Sequence, residues 1–114
     1  MLTENMSNAR AGINIVSTKD GTLALVHGRF DIDSSPSVCA RLLALLETPH
    51  SKTISVDLSG VTHIDSSGIA TLVEALKLAR TRKIELKVQG VHDQLLHLFE
   101  FSGVWALFGG STLA

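Results

Sequence analysis

Cysteine is almost missing from this chain. Cys39 stands alone among 114 residues, so no internal disulfide can form, which suits a reducing compartment. An excess of either charge is missing too. The formal net charge is −1, which provides no field to steer the protein toward nucleic acid or an anionic membrane. No apolar run approaches the length needed to span a bilayer. Met1 to Gly12 is polar and mixed, without the apolar core of a signal peptide, so cytoplasmic residence is the expectation. Neither nucleotide loop is present: there is no Gly-x-x-x-x-Gly-Lys-Ser/Thr and no Gly-x-Gly-x-x-Gly. The five histidines are scattered, with no pair at ligand spacing beside cysteine or acidic support, so neither a metal nor another cofactor is expected.

What is present is aliphatic. Hydrophobic residues make up 45%, enough for one core, and the length fits one domain. Residues 1–11 show no periodicity and read as a flexible arm, and 109–114 as a tail, leaving a domain over 12–108. Ile13 to Ser17 and Thr22 to His27 read as strands around the Lys19-Asp20-Gly21 turn, an antiparallel hairpin. Gly28 to Asp33 reads as a loop. Ser34-Ser35-Pro36 supplies a hydroxyl cap and a first-turn proline. Val38, Leu42, Leu45 and Leu46 then share one helical face, and Thr48-Pro49-His50 ends that helix.

Thr53 to Ser59 alternates, with Ile54, Val56 and Leu58 on one side and Ser55 and Asp57 on the other, as in a strand. The loop from Gly60 leads to a helix over about Ser66 to Arg82, whose inner stripe is Ile69, Leu72, Val73, Leu76 and Ala79. Lys77, Arg80, Arg82 and Lys83 lie toward its end, where cations complement the dipole. Ile84 to Gln89 is another strand. A third helix follows, with Asp93 as N-cap and Gly103 as stop. Val104 to Phe108 adds a last short element. The order β-β-α-β-α-β-α implies an α/β fold with parallel pairing and right-handed crossovers. The opening hairpin makes the sheet mixed.

Ligand sites of open α/β sheets lie beyond the C-terminal ends of their strands. The segments 28–35 and 60–68 converge there, bringing Asp31, Asp33 and Asp65 near Ser66 and Ser67. Asp-Ser-Ser-Gly at a helix start is a plain N-cap and tight turn. It also offers two hydroxyls where unpaired N–H groups and the dipole favour a phosphate. His63, Asp65 and Ser66 contain the residue types of a hydrolase. Three residues of one short loop cannot align as a relay, and the Gly-x-Ser-x-Gly elbow is absent, so a small hydrolase is the remote alternative.

The stretch Val56-Asp57-Leu58-Ser59 through Ile64-Asp65-Ser66-Ser67-Gly68 resembles the signature of STAS domains, the family that includes bacterial anti-sigma factor antagonists. Gly28-Arg29-Phe30-Asp31 resembles that family's Gly-Glu-Leu-Asp turn, with Arg29 and Phe30 replacing Glu and Leu. Leu95 to Gly103 resembles its last helix. The resemblance implies a single STAS domain with a mixed four- to five-stranded sheet and about three helices. It implies a non-enzymatic binding module, phosphorylated on Ser66, with Ser67 as second choice. The partners it implies are an anti-sigma factor serine kinase and a phosphatase. The implied surface comprises the Gly28 to Asp33 loop with Asp31 and Asp33, the turn of Asp65, Ser66, Ser67 and Gly68, and Thr71 and Glu74 on the exposed face of the following helix. An alternative within the family is the STAS subunit of a phospholipid-transport ABC complex, docking on the ATPase. Thr22-Leu23-Ala24-Leu25 and Gln89-Gly90-Val91-His92-Asp93 lean that way.

Overall fold

In a computed structural model, residues 12–19, 21–47 and 52–103 are described. The expected arm, tail, Thr48-Pro49-His50 helix end and Val104–Phe108 element lie outside them. The described chain forms β1 (Gly12–Thr18), β2 (Gly21–Phe30), α1 (Ser35–Glu47), β3 (Thr53–Ile64), α2 (Ser66–Arg82), β4 (Glu85–Gln89) and α3 (Asp93–Ser102). The fold is the expected α/β class, a four-stranded mixed sheet opening on an antiparallel hairpin. Strand order follows chain order, and β2–β3 and β3–β4 are parallel. With right-handed crossovers, strands added in one direction put their helices on one face.

Side-chain burial agrees with that one-sided arrangement. Ala24, Val26 and Phe30 of β2, Ile54, Val56 and Leu58 of β3, and Val88 of β4 are sealed into one core. The helices contribute Val38, Leu42 and Leu46 from α1, Leu72, Ala75 and Ala79 from α2, and Leu95 and Phe99 from α3. Each large side chain removed from water stabilises by about 1.5–3 kcal/mol. On the other face Leu23, Leu25, Ser55, Asp57 and Gln89 are only half-buried, and Lys87 is exposed.

Two strands run further than their sequence suggests. β2 continues through Gly28 to Phe30, and β3 through Gly60 to Ile64, so both expected loops shrink. The reason is their mutual pairing. Partners Leu25↔Asp57, His27↔Gly60, Gly28↔Val61 and Arg29↔His63 show that β3 twice uses one extra residue. Each bulge breaks the two-residue alternation and bends the strand. Gly28, at φ 87°, adopts a backbone conformation that residues with a Cβ avoid. The result returns Val61 and Ile64 to the core and pairs Phe30 with Ile64 at the sheet's upper end.

The cap of α3 also differs from expectation. His92 is the N-cap, without a side-chain cap bond, and its Nε2 lies 3.0 Å from the Val61 carbonyl. Asp93 instead sits in the first turn, where its charge suits the dipole. Gly103 ends the helix in the left-handed conformation, as expected.

Candidate functional site

Because Phe30 and Ile64 are paired neighbours, the turn after β2 and the start of α2 stand side by side. The Asp65 N–H donates to the Phe30 carbonyl at 3.3 Å, tying the two strand ends together. Asp65 is the N-cap of α2, with an extended backbone at φ −121° and ψ −170°. Its Oδ1 accepts from Ser67 N–H at 2.9 Å, Ser67 Oγ at 2.6 Å and Gly68 N–H at 3.2 Å. Its Oδ2 accepts from the Ile32 N–H at 3.3 Å, reaching across to the neighbouring turn. Burial pushes the Asp65 carboxyl up, but the hydrogen bonds from Ser67, Gly68 and Ile32 outweigh it. Its pKa therefore falls below the ordinary value.

The two serines are not equivalent. Ser67 is half-buried and its hydroxyl is spent on Asp65. Ser66 is exposed at the first position of α2, and among the described residues no hydrogen bond engages its hydroxyl. Gly68 is buried, and its surroundings leave little room for a side chain. A Cβ there would sit 2.6 Å from both Ile64 Cγ1 and the Phe30 carbonyl oxygen.

The turn after β2 is bonded just as closely. The Asp31 carbonyl accepts from Ser34 N–H at 3.1 Å and Ser35 N–H at 2.8 Å. Ser34 Oγ accepts from the Asp31 N–H at 3.0 Å and donates to the Arg29 carbonyl at 2.7 Å. The Asp31 side chain accepts from Asp33 N–H at 3.1 Å and pairs with Arg29 Nη2 at 3.1 Å.

The structure thus brings Asp31, Asp33, Asp65, Ser66, Ser67 and Gly68 together, with Asp33 and Ser66 facing solvent. Asp31 is buried and holds the turn's own backbone, so it builds the surface from beneath. Thr71 requires a correction. It is buried, and its hydroxyl donates to the Ser67 carbonyl at 3.1 Å, so it is not on the exposed face of α2. The helical period explains this: Thr71 lies next to Leu72 and four residues before Ala75, both fully buried. Glu74 is exposed, 3.7 Å from Lys77. Asp57 stays out of the site, accepting from Ser59 N–H, its hydroxyl and Gln89 Nε2.

A family model described as Mlab, STAS domain matches residues 16–108. The chain belongs to the STAS domain family. An anti-sigma-B factor antagonist of Listeria monocytogenes serovar 1/2a is 33% identical over 79 residues, covering 69% of this chain and 68% of that protein. One from Staphylococcus aureus strain NCTC 8325 is 30% identical over 79 residues, 69% of this chain and 72% of that protein. An anti-sigma factor antagonist from Mycobacterium paratuberculosis shares the fold at a TM-score of 0.78 and 15% identity, covering 92% of this chain and 87% of that one. A sulfate transporter family protein from Wolinella succinogenes does so at 0.71 and 22%, covering 86% and 79%. Among the described residues no helix of this STAS domain is long and apolar enough to cross a membrane.

Sequence reasoning named the Gly28 to Asp33 loop as part of the expected surface but singled out neither Arg29 nor Ile32. Arg29 is 56% exposed beside Asp31, and Ile32 is 71% exposed at the tip of the turn. The only signal for Ile32 was an aliphatic residue set between two aspartates.

Proposed function

We propose that this chain is an anti-sigma factor antagonist that works by reversible protein binding and not by catalysis. Unphosphorylated, it binds an anti-sigma factor serine kinase in the cytoplasm and frees the sigma factor. Phosphorylation of Ser66 dissociates the pair, and a phosphatase resets it. The observation that carries this reading is the contrast at the start of α2. Ser66 offers an unengaged, exposed hydroxyl, whereas Ser67 is locked to Asp65. The names of the Listeria and Staphylococcus relatives support the same reading.

The electrostatics support a switch. A phosphate on Ser66 adds about −1.5 to −2 charges next to ionised Asp65 and exposed Asp33. The added charge repels a partner packed against this surface without unfolding it. Both Asp65 oxygens already hold N–H or hydroxyl groups, which supports a positioning role over a part in acid–base chemistry.

The second reading keeps the same surface and changes the partner to the ATPase of a phospholipid-transport ABC complex, on the strength of the 22–25 and 89–93 segments. Affinity capture of the tagged chain from its host, with mass spectrometry, separates the two. A co-purifying anti-sigma kinase that phosphorylates wild type but not Ser66→Ala is the expected result. Recovery of a transporter ATPase in its place moves the chain to the second reading. Full phosphorylation of Ser66→Ala overturns the assignment of Ser66.

A further inference from the structure

Among the described residues only three large hydrophobic side chains are exposed: Ile15 at 38%, Val16 at 42% and Ile32 at 71%. Ile15 and Val16 lie in the interior of β1, paired with Ala24 and Leu23. Ala24 precedes Phe30 by six residues of β2, about 20 Å along a strand. Among the described residues, Ile32 therefore belongs to no larger group of exposed aliphatic side chains. It is a single exposed aliphatic side chain on a turn whose exposed neighbours, Arg29 and Asp33, are charged, and its N–H is bonded to Asp65 beside Ser66.

Its exposure is not looseness of the chain. The residues on either side of it are fixed by the bonds of Asp31 and Ser34, and its own N–H is held by Asp65 Oδ2. An isoleucine has room to fold back only if the turn lets it, and this turn is bonded at Asp31, Ile32, Asp33 and Ser34 at once. The fold spends several hydrogen bonds on presenting a side chain that contributes nothing to the core. By contrast Ile13, Ile54, Ile64, Ile69 and Ile84 are all buried.

We infer that Ile32 is the apolar anchor of the docking surface, entering a pocket the size of one aliphatic side chain on the anti-sigma factor kinase that the relatives' names point to. The inference rests on the reading of this face as a protein-docking site, and deepens it. One rigid apolar side chain beside a polar rim is the anatomy of an interface hot spot. It is too small to hold a membrane surface, which needs a broad apolar face. It also gives the switch a mechanical link. Asp65 joins the Ile32 amide on one oxygen and the Ser67 and Gly68 amides on the other. A phosphate on Ser66 competes for those same helix N–H groups and so disturbs the carboxylate that holds the anchor.

The test compares wild type, Ile32→Ser and Ile32→Leu by calorimetric titration. Two recombinant proteins of the host serve as probes: its anti-sigma serine kinase and its phospholipid-transporter ATPase. Circular dichroism and melting curves confirm folding first, and an exposed position leaves them unchanged. The expected result is a roughly 10- to 100-fold weaker Kd for Ile32→Ser and no more than a few-fold change for Ile32→Leu. Equal affinity of wild type and Ile32→Ser for the kinase overturns the anchor and leaves the sigma-switch reading standing. Loss of affinity only for the ATPase overturns both the kinase pocket and that reading. Wild type binding neither probe overturns both.

Discussion

Replacing Gly68 by alanine pits two opposed effects against each other. Helix propensity favours alanine over glycine by about 1 kcal/mol. Space does not. The new Cβ would lie 2.6 Å from Ile64 Cγ1 and 2.6 Å from the Phe30 carbonyl oxygen, about 1 Å inside ordinary contact. Ile64 is 4% exposed and has little room to turn away. The Phe30 oxygen is backbone, and it accepts the Asp65 N–H, so moving it strains the bond that joins the two strand ends. Overpacking costs about 1–3 kcal/mol, and loss of that hydrogen bond about 1 kcal/mol more. After subtracting the propensity gain, Gly68→Ala is expected to destabilise by roughly 1–3 kcal/mol. That lowers Tm by roughly 5–15 °C for a domain of this size. Urea titration and calorimetry measure it. Ala70→Gly, exposed on the same helix, isolates the propensity term. An unchanged or raised Tm for Gly68→Ala would refute the close-approach argument and leave the glycine without a structural reason.

Other predictions follow from the same geometry. For both Asp57 and Asp65, burial raises the carboxyl pKa, but hydrogen bonds more than offset it and the net shift is downward. A lowered folded pKa contributes stability that is full above the unfolded value near about 3.9 and is lost as pH falls through the folded one. The Asp57→Asn/Asp65→Asn variant should thus be less stable than wild type at about pH 7. The two urea midpoints should converge as the pH falls below the unfolded carboxylate value of about 3.9; parallel curves through that fall would remove these carboxylates from the acid response. Thr71→Val should cost about 0.5–1.5 kcal/mol, through the lost bond to the Ser67 carbonyl, while partner affinity stays unchanged. A large affinity loss at wild-type stability would return Thr71 to the docking surface.

The sequence conveys this fold wherever one rule operates at a time. The alternation of Ile54, Val56 and Leu58 and the stripe of Ile69, Leu72, Leu76 and Ala79 locate β3 and α2, and α2 begins at Ser66 as its Asp-Ser-Ser-Gly start implies. The alternation fails past Leu58, because two bulges space the buried residues as Leu58, Val61 and Ile64. Nothing local announces a bulge whose cause is a partner strand. The same limit hid the inward turn of Asp31 and Thr71. Both are polar types at positions whose burial is decided by packing against other elements. The serines were legible as a pair. Only their hydrogen bonds separate the free one from the locked one.

The bond from Ile32 to Asp65 spans 33 residues of chain. It forms only when β2 and β3 have paired in parallel, with α1 folded as their crossover. Parallel pairing is a late and non-local event for a folding chain, since the loop must close before any contact repays its entropy. A nascent or partly unfolded copy exposes Ser66 as well, yet it has no turn beside it. On the proposed reading, the docking surface is in this sense a certificate of completed folding. On that reading, a partner that reads both halves would ignore immature copies, and the number of active molecules would count finished domains and not chains.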